Sequence, residues 1–597
     1  MKYSDYFIDC LVKLGYTHVF FVNGGNVLHL IESARTRMKC IAVVNEVSAG
    51  IAAEYFNVAN RDNDKRALAI VTAGPGVTNI VTSVAGAWLE SRELLVVGGQ
   101  ARTEFLSRQT VRQTGHQEID GISILDSITK KSCQINKPIK FEEIEDLVNL
   151  SRSGRKGPVF LEMCLDVSAT EVAYSESESL TSFLSHEQHS NYKEVFDRLL
   201  ELIKKSSRPI FLVGGGLDFK SFDRNLAVLK RIGIPIATSW NSADYLDYND
   251  DLFAGRPNTY GMRWANAVIQ QSDLLISIGA RLGLQQTGFA WKKFIPVGQI
   301  AQVDIDIFEL NKSNPGIDLK ILADAGTFLD YFCKNYSISN DKNFSDWVQF
   351  ISSTKKTLPI VENENQVFLD YANPFKIVNE LGVLLTSEDQ VIPCSSGGAY
   401  TSIMQAFPQK KGQLLTNNKA LASMGYGLAG AIGTALAHPE KRTILIEGDG
   451  GFAQNISELG TAVSNKLNIK IFIFSNGGYA SIRLSQKAFF GGTYIGCDSK
   501  SGLQLPDWEK IFESFEIPTI TMSNSSLDDP DISKMLEAPG LSAFIVRIHE
   551  DQPFLPKVIS RLNSDGSMDS NPIHLMYPPL EASLQASIFR YLKDPYE

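Results

Sequence analysis

The stretch Arg442–Asn455, "RTILIEGDGGFAQN", ends an apolar run in Gly-Asp-Gly-Gly and then continues in a helical pattern. A continuous apolar run of this length suits a parallel strand covered on both faces. Glycines admit close backbone approach, and a helix start offers unpaired N–H groups to an anion. Asp449 adds a hard oxygen at the carboxyl end of the strand, where open α/β sheets bind their ligands. A tight turn alone would explain the glycines, so the next strand decides. "IKIFIF" runs into "SNGGY", and its Asn476 stands 476 − 449 = 27 positions after Asp449. One helical stretch, "NISELGTAVSNKL", fills the gap. The spacing therefore places Asp449 and Asn476 on neighbouring loops of one sheet edge. A carboxylate, an amide oxygen and a free carbonyl suit Mg²⁺, which keeps other positions for water and phosphate oxygens.

Similar strand–glycine–helix units recur outward from this stretch. "HVFFV", "CIAVVN", "ALAIVT" and "LLVVGG" form a first series, and "PIFLVGGG", "IPIATSW", "LLISIGAR" and "IAQVDID" a second. "QVIPCSS", "TILIEGDG", "IKIFIFSN" and "AFIVRI" form the third. Strands alternating with helices predict doubly wound α/β units, so the expected fold is three consecutive α/β domains. The boundaries fall at 1–168, 190–340 and 365–560, with an extension over 561–597. The Ser- and Glu-rich stretch from Ser168 to Glu194 and the stretch from Thr357 to Pro374 read as linkers. The extension reads equally as a flap over a site or a strap on another domain.

Bulk properties narrow the function class. The chain has 597 residues, 44% hydrophobic and 21% charged, with a net charge of −10. That balance argues against general nucleic-acid binding, which needs a basic footprint. The 7 cysteines are scattered without a C-x-x-C pair, which fits a reducing compartment. No apolar run approaches the roughly 20 residues that span a bilayer. The N-terminal "MKYSDYFIDCLVKLGY" reads as an amphipathic helix rather than a signal peptide, and the cytoplasm is the expected location.

Gly448 to Gly478 resembles the thiamine-diphosphate signature, a GDG followed some 25 residues later by an Asn pair; here Ser475-Asn476 replaces Asn-Asn. The order of domains resembles the acetolactate synthase branch of that family: pyrimidine-binding, central, diphosphate-binding. The resemblance implies thiamine diphosphate and Mg²⁺ as cofactors, with Asp449, Asn476 and the Gly478 carbonyl as metal ligands. Gly448, Gly450, Gly451 and Tyr479 would line the same loops. "CSSGGAYTSIM" is similar to the loop that wraps the diphosphate, through Gly398, Ala399 and Tyr400.

Glu46, in "CIAVVNEVSAGIAAEYFNVAN", ends a strand and opens an Ala-rich helix. By itself it is equally a first-turn acid favoured by the helix dipole. The resemblance makes it the carboxylic acid set against the cofactor's pyrimidine ring. Because Glu46 and Asp449 lie in different domains, the resemblance implies a homodimer or homotetramer whose sites are shared between subunits. Met424, at the head of "GYGLAGAIGTALAH", matches the residue that props the cofactor into a bent shape, and the Ala422 carbonyl matches an acceptor where the synthases have Gly. "TAGPGVTN", Thr72 to Asn79, resembles the loop that supports the pyrimidine side.

The substrate side is read from "VRQTGHQEID" and "FVNGGN". Gln117 matches the synthase glutamine, while His116 departs from the synthase Phe and brings a proton donor or acceptor. Gly24, Gly25 and Asn26 lie where the family lines the reactive carbon. In "SIGARLGLQQTG", Arg281 fits the flavin stretch of the synthases, yet Gly283 and Gln285 replace the expected acidic and basic residues, which leaves FAD open. Gly214 to Gly216 is not a complete dinucleotide fingerprint. The segment after the metal loop, "YASIRLSQKAFFGGTYIGCDSKSGL", is Gly-, Ser- and aromatic-rich, as mobile covers are. The resemblance implies decarboxylation of a 2-oxo acid, pyruvate first, with transfer of the acyl unit to an acceptor carbonyl, a keto-sugar being one candidate. A plain decarboxylase and a non-catalytic scaffold are the alternatives.

Overall fold

The computed structural model describes residues 1–107, 110–173, 192–336, 342–365, 368–394, 396–524, 526–563, 565–566 and 568–592. Three parallel sheets follow one another along the chain. The first holds β1 (Tyr16–Phe21), β2 (Lys39–Ala42), β3 (Arg66–Val71), β4 (Leu94–Gln100), β5 (Lys131–Ile135) and β6 (Pro158–Cys164), in the order β2-β1-β3-β4-β6-β5. The second holds β7 (Pro209–Val213), β8 (Ile236–Thr238), β9 (Leu274–Ile278), β10 (Gln299–Asp304) and β11 (Leu319–Leu322), in the order β11-β10-β9-β7-β8. The third holds β12 (Gln390–Pro393), β13 (Thr443–Gly448), β14 (Ile469–Ser475), β15 (Thr519–Met522) and β16 (Ser542–Arg547), in the order β12-β13-β14-β16-β15. The expected α/β class holds. Much of the Ser168–Glu194 stretch lies outside the described residues, as do residues 366 and 367 of the second expected linker.

The first and third sheets are built to one plan. A parallel bridge from Val391 to Leu415 extends the third sheet beside β12, as β2 extends the first beside β1. The helix that follows the flanking strand is Glu46–Ala59 in one domain and Tyr426–Ala437 in the other, and the two pack directly on each other. The small residues of "YGLAGAIGTALA" make that approach possible. Gly433 has no room for a side chain against the Ala52 backbone, and a Cβ at Gly430 would lie 2.7 Å from the Tyr55 ring. One hydrophobic core consequently runs through both domains, joining Ala49, Ile51 and Tyr55 to Tyr426, Leu428 and Ile432.

The C-terminal extension is a strap on the central domain. Asn266 Nδ2 donates to Ile573 O (2.9 Å) and Gln271 Nε2 to Ile588 O (2.8 Å). Ile573, Ile588, Phe589 and Leu592 join the core built on the second sheet. Among the described residues no helix is long and apolar enough to cross a membrane.

Candidate active site

Asp449 follows β13, and Asn476 follows β14, its hydrogen-bonded neighbour. Adjacent parallel strands thus deliver both residues to one edge, as their spacing predicts. The Asp449 carboxylate is 1% exposed. Its Oδ1 accepts Gly450 N (2.8 Å), and its Oδ2 accepts Asn476 N (2.9 Å) and Gly477 N (2.8 Å). Burial pushes its pKa up to about 6 against these N–H bonds. Asn476 Oδ1 is buried with no hydrogen-bond partner among the described residues. A buried acceptor left alone is costly, and a cation is one partner that removes the cost. The Gly478 carbonyl accepts Ala480 N (3.2 Å), which leaves it a second lone pair. No three side chains of the His, Cys, Asp or Glu types form a metal cluster among the described residues. The donor set here is one carboxylate, one amide and one carbonyl, all oxygen, and that set fits Mg²⁺.

The glycines of these loops are fixed by packing. Tyr479's ring covers Gly450, and the Gly478 backbone (φ 153°) meets the Cys497 carbonyl where a side chain would stand. Gly398 is covered in the same way by the Phe554 ring. Ala399 is buried, and the Tyr400 hydroxyl donates to Asn417 Oδ1 (2.8 Å) inside the core. What Gly398, Ala399 and Tyr400 offer an anion is therefore the N-terminal backbone of helix Gly397–Ala406. Ala422 has φ 54°, in the left-handed region that favours a residue without Cβ. Met424 is 36% exposed at the head of its helix.

Glu46 opens its helix behind the Asn45 cap, whose Oδ1 accepts Val47 N (3.1 Å). The Glu46 side chain is 8% exposed, and its Oε2 accepts Asn79 Nδ2 (2.9 Å). Asn79 closes the "TAGPGVTN" loop after β3. The duplicated plan extends to this contact. Asn455 closes the equivalent "GDGGFAQN" loop after β13, and its Nδ2 reaches Gly425 O (2.5 Å) at the head of the equivalent helix. One scaffold position carries a carboxylic acid in the first domain and a backbone turn beside Met424 in the third.

Family comparisons agree with this geometry. The description "Thiamine pyrophosphate enzyme, N-terminal TPP binding domain" matches residues 1–124, its central domain residues 196–332, and its C-terminal TPP binding domain residues 396–546. The chain belongs to the thiamine pyrophosphate enzymes. Within that family it is similar to acetolactate synthase large subunits. The acetolactate synthase large subunit of Lactococcus lactis is 26% identical over 94% of this chain and 95% of that protein. A probable acetolactate synthase large subunit of Methanococcus aeolicus is 29% identical over 76% and 77%. The isozyme 1 large subunit of Escherichia coli is 25% identical over 93% and 95%.

In this thiamine pyrophosphate enzyme the residues that the sequence assigns to the substrate side gather at the carboxyl edge of the first sheet. Gly24 abuts Thr72, leaving no space for a side chain, and Asn26 packs on Gly99. Gln117 (φ 58°) lies over Gly74, while His116 is exposed. The organiser of this loop, Glu118, is not evident from the sequence. Its carboxylate accepts the backbone N–H groups of Ser107, Thr114 (2.8 Å) and Gly115 (2.9 Å). Burial alone would raise its pKa; the N–H bonds outweigh burial and hold it below the usual carboxylate range. Beneath the loop, Glu162 on β6 accepts Gln134 Nε2 (2.8 Å), and burial pushes its pKa up to about 7.

The two groups of site residues stand on different sheets. Gly24–Asn26, Glu46, His116 and Gln117 belong to the first, and Gly398–Tyr400, Ala422, Met424, Gly448–Gly451 and Asn476–Tyr479 to the third. In the central domain a Cβ at Gly216 would lie 2.9 Å from Gly279 O, so those glycines serve a close approach of two loops. Arg281 Nη1 donates to Leu89 O (3.4 Å), and Gln285 O accepts Thr259 N (2.8 Å).

Proposed function

We propose that the protein removes CO₂ from a 2-oxo acid, pyruvate in the first place, and joins the remaining acyl unit to the carbonyl of an acceptor. The observation that carries this reading is the unpartnered Asn476 Oδ1 beside the buried Asp449 carboxylate. In this reading Asp449, Asn476 and the Gly478 carbonyl hold Mg²⁺ and, through it, a diphosphate. The N–H groups at the start of helix Gly397–Ala406 take the remaining charge.

Thiamine diphosphate, when bound, supplies the electron sink that decarboxylation of a 2-oxo acid needs. The Glu46 carboxyl, oriented by the Asn79 amide, would meet a ring nitrogen of the cofactor. The Ala422 carbonyl would accept a hydrogen bond from the cofactor, and Met424 would pack against it. Gln117, pinned over Gly74, presents a side-chain amide to the substrate. Glu46 of one subunit completes the centre held by Asp449 of another, which makes the working unit at least a homodimer. No flavin step is included.

A keto-sugar is our preferred acceptor class, because the exposed His116 and the altered cover set this chain apart from the synthase pattern. The exposed His116 also favours a second reading, a decarboxylase that protonates its intermediate and releases aldehyde. Mass spectrometry of products from ¹³C-pyruvate, with and without candidate acceptors, separates them. Ligation predicts turnover and a mass-shifted adduct only when a second carbonyl compound is present. Acetaldehyde formed at the same rate without acceptor establishes the second reading, and absence of CO₂ release with thiamine diphosphate and Mg²⁺ rejects both.

A further inference from the structure

Glu458 connects the metal loop to the activating acid. It lies 458 − 449 = 9 residues after Asp449, at the end of the segment Ala453–Glu458, and is 0% exposed. Its Oε1 accepts Val44 N (3.1 Å) and Asn45 N (3.0 Å), the amides immediately ahead of Glu46. Its Oε2 accepts Thr461 Oγ1 (2.7 Å), which fixes the carboxylate. A carboxylate of the diphosphate domain thus reinforces the N-terminus of the Glu46 helix in the pyrimidine domain of the same chain. Three residues earlier on the same segment, Asn455 holds Gly425 beside Met424. The first domain returns the contact: Thr82, three residues after Asn79, accepts the Tyr426 hydroxyl at the head of the other helix (3.3 Å). The relation is that of a two-fold interface, folded into one chain.

We propose that Glu458 is the positioning residue through which occupation of the metal loop sets the Glu46 segment of the same chain. The inference rests on the shared-site reading above. Under that reading a chain's Asp449 and its Glu46 serve different active sites, so the bonds from Glu458 to Val44 and Asn45 link the two sites of the dimer. The first site to fill its metal loop orders the acid arm of the second.

Hydrogen exchange on the full-length protein tests this, with Mg²⁺ and inorganic diphosphate as the probe. That probe fills the metal loop without supplying a pyrimidine ring for Glu46 to meet. In the wild type we expect protection of residues 449–451 and 476–478, and at least fivefold slower exchange of the Val44 and Asn45 amides. In Glu458→Leu, which removes both acceptor oxygens, the metal loop remains protected, and the effect at Val44 and Asn45 falls below twofold. Thr461→Val, which keeps the carboxylate and its bonds to Val44 and Asn45 but removes the hydroxyl that fixes it, gives an intermediate value and serves if Glu458→Leu does not fold. Protection confined to the metal loop in the wild type, or unchanged coupling in a folded Glu458→Leu or in Thr461→Val, overturns the inference alone. Absence of protection at the metal loop itself removes the cofactor-site reading, and the inference with it.

Discussion

The backbone of Gln117 rests on Gly74: a Cβ at Gly74 would lie 2.7 Å from Gln117 O and 3.1 Å from Gln117 Cβ. Two stretches that are separate in sequence, the GPG loop and the His116-Gln117 turn, therefore make one surface. Gly74 also has φ 64° and ψ −108°, a conformation essentially restricted to glycine. Gly74→Ala is expected to destabilise the fold by about 1–3 kcal/mol and to displace Gln117. Steady-state kinetics should show at least a tenfold fall in kcat/KM in protein that is still folded by circular dichroism. Unchanged kcat/KM in that variant would separate Gln117 from the substrate.

Glu118 gives the loop a defined acid limit. Its pKa is depressed in the folded state, so its contribution is full above the unfolded value of about 4.3 and disappears as pH falls through the folded value. Exchange of the Thr114 and Gly115 amides, corrected for intrinsic rates, should stay constant from pH 7 to about 5 and accelerate below about 4. Glu118→Gln should show the fast rate throughout. A pH-independent wild-type rate that matches the variant would mean that the clamp does not hold the loop.

Among the described residues Asn476 Oδ1 has no hydrogen-bond partner, so its removal takes no such bond from the metal-free fold. Asn476→Ala is expected to leave the metal-free unfolding midpoint within about 2 °C of wild type. Calorimetric titration should nevertheless show thiamine diphosphate binding with Mg²⁺ weakened at least 30-fold. The reverse pattern, a large loss of stability with affinity retained, would make Asn476 structural.

Ala422 carries a left-handed backbone at φ 54°. Left-handed geometry costs a residue with Cβ about 1–2 kcal/mol, whereas glycine adds roughly 0.5–1 kcal/mol of chain entropy to lose. The balance favours Ala422→Gly slightly. Its unfolding midpoint should equal or exceed that of wild type, with turnover retained because the proposed site uses only the carbonyl of this residue. A midpoint more than about 2 °C lower would contradict this accounting.

The metal loop was legible because its signal is local: a buried strand, glycines, one acid and a measured interval to Asn476 on the next strand. Glu46 was legible only through resemblance, since a first-turn acid looks the same whether structural or functional. Asn79, Glu118 and Glu458 escaped notice, although the quoted motifs contain all three. Their roles lie in backbone amides reached across the fold, and no spacing rule encodes such a reach. The edge strands β5 (KSCQI) and β15 (TITM) carry mixed residues that show no continuous apolar run. The buried β6, "PVFLEMC", does carry one, although it stands outside the first series of strands read from the sequence. The strap was undecidable because its anchors, Ile573, Ile588 and Phe589, are scattered among polar residues.

Subunit mixing tests the central claim most directly. Glu46→Ala and Asp449→Ala chains, each inactive when purified alone, are co-expressed in equal amounts and isolated together. If each site draws Glu46 from one chain and Asp449 from the other, half of the randomly paired dimers are mixed and carry one intact site. Activity should then return to about a quarter of wild type per chain. If both residues serve a site within a single chain, every site in the mixture is defective and no activity returns. That result, with mixed dimers confirmed by native mass spectrometry, would contradict the account.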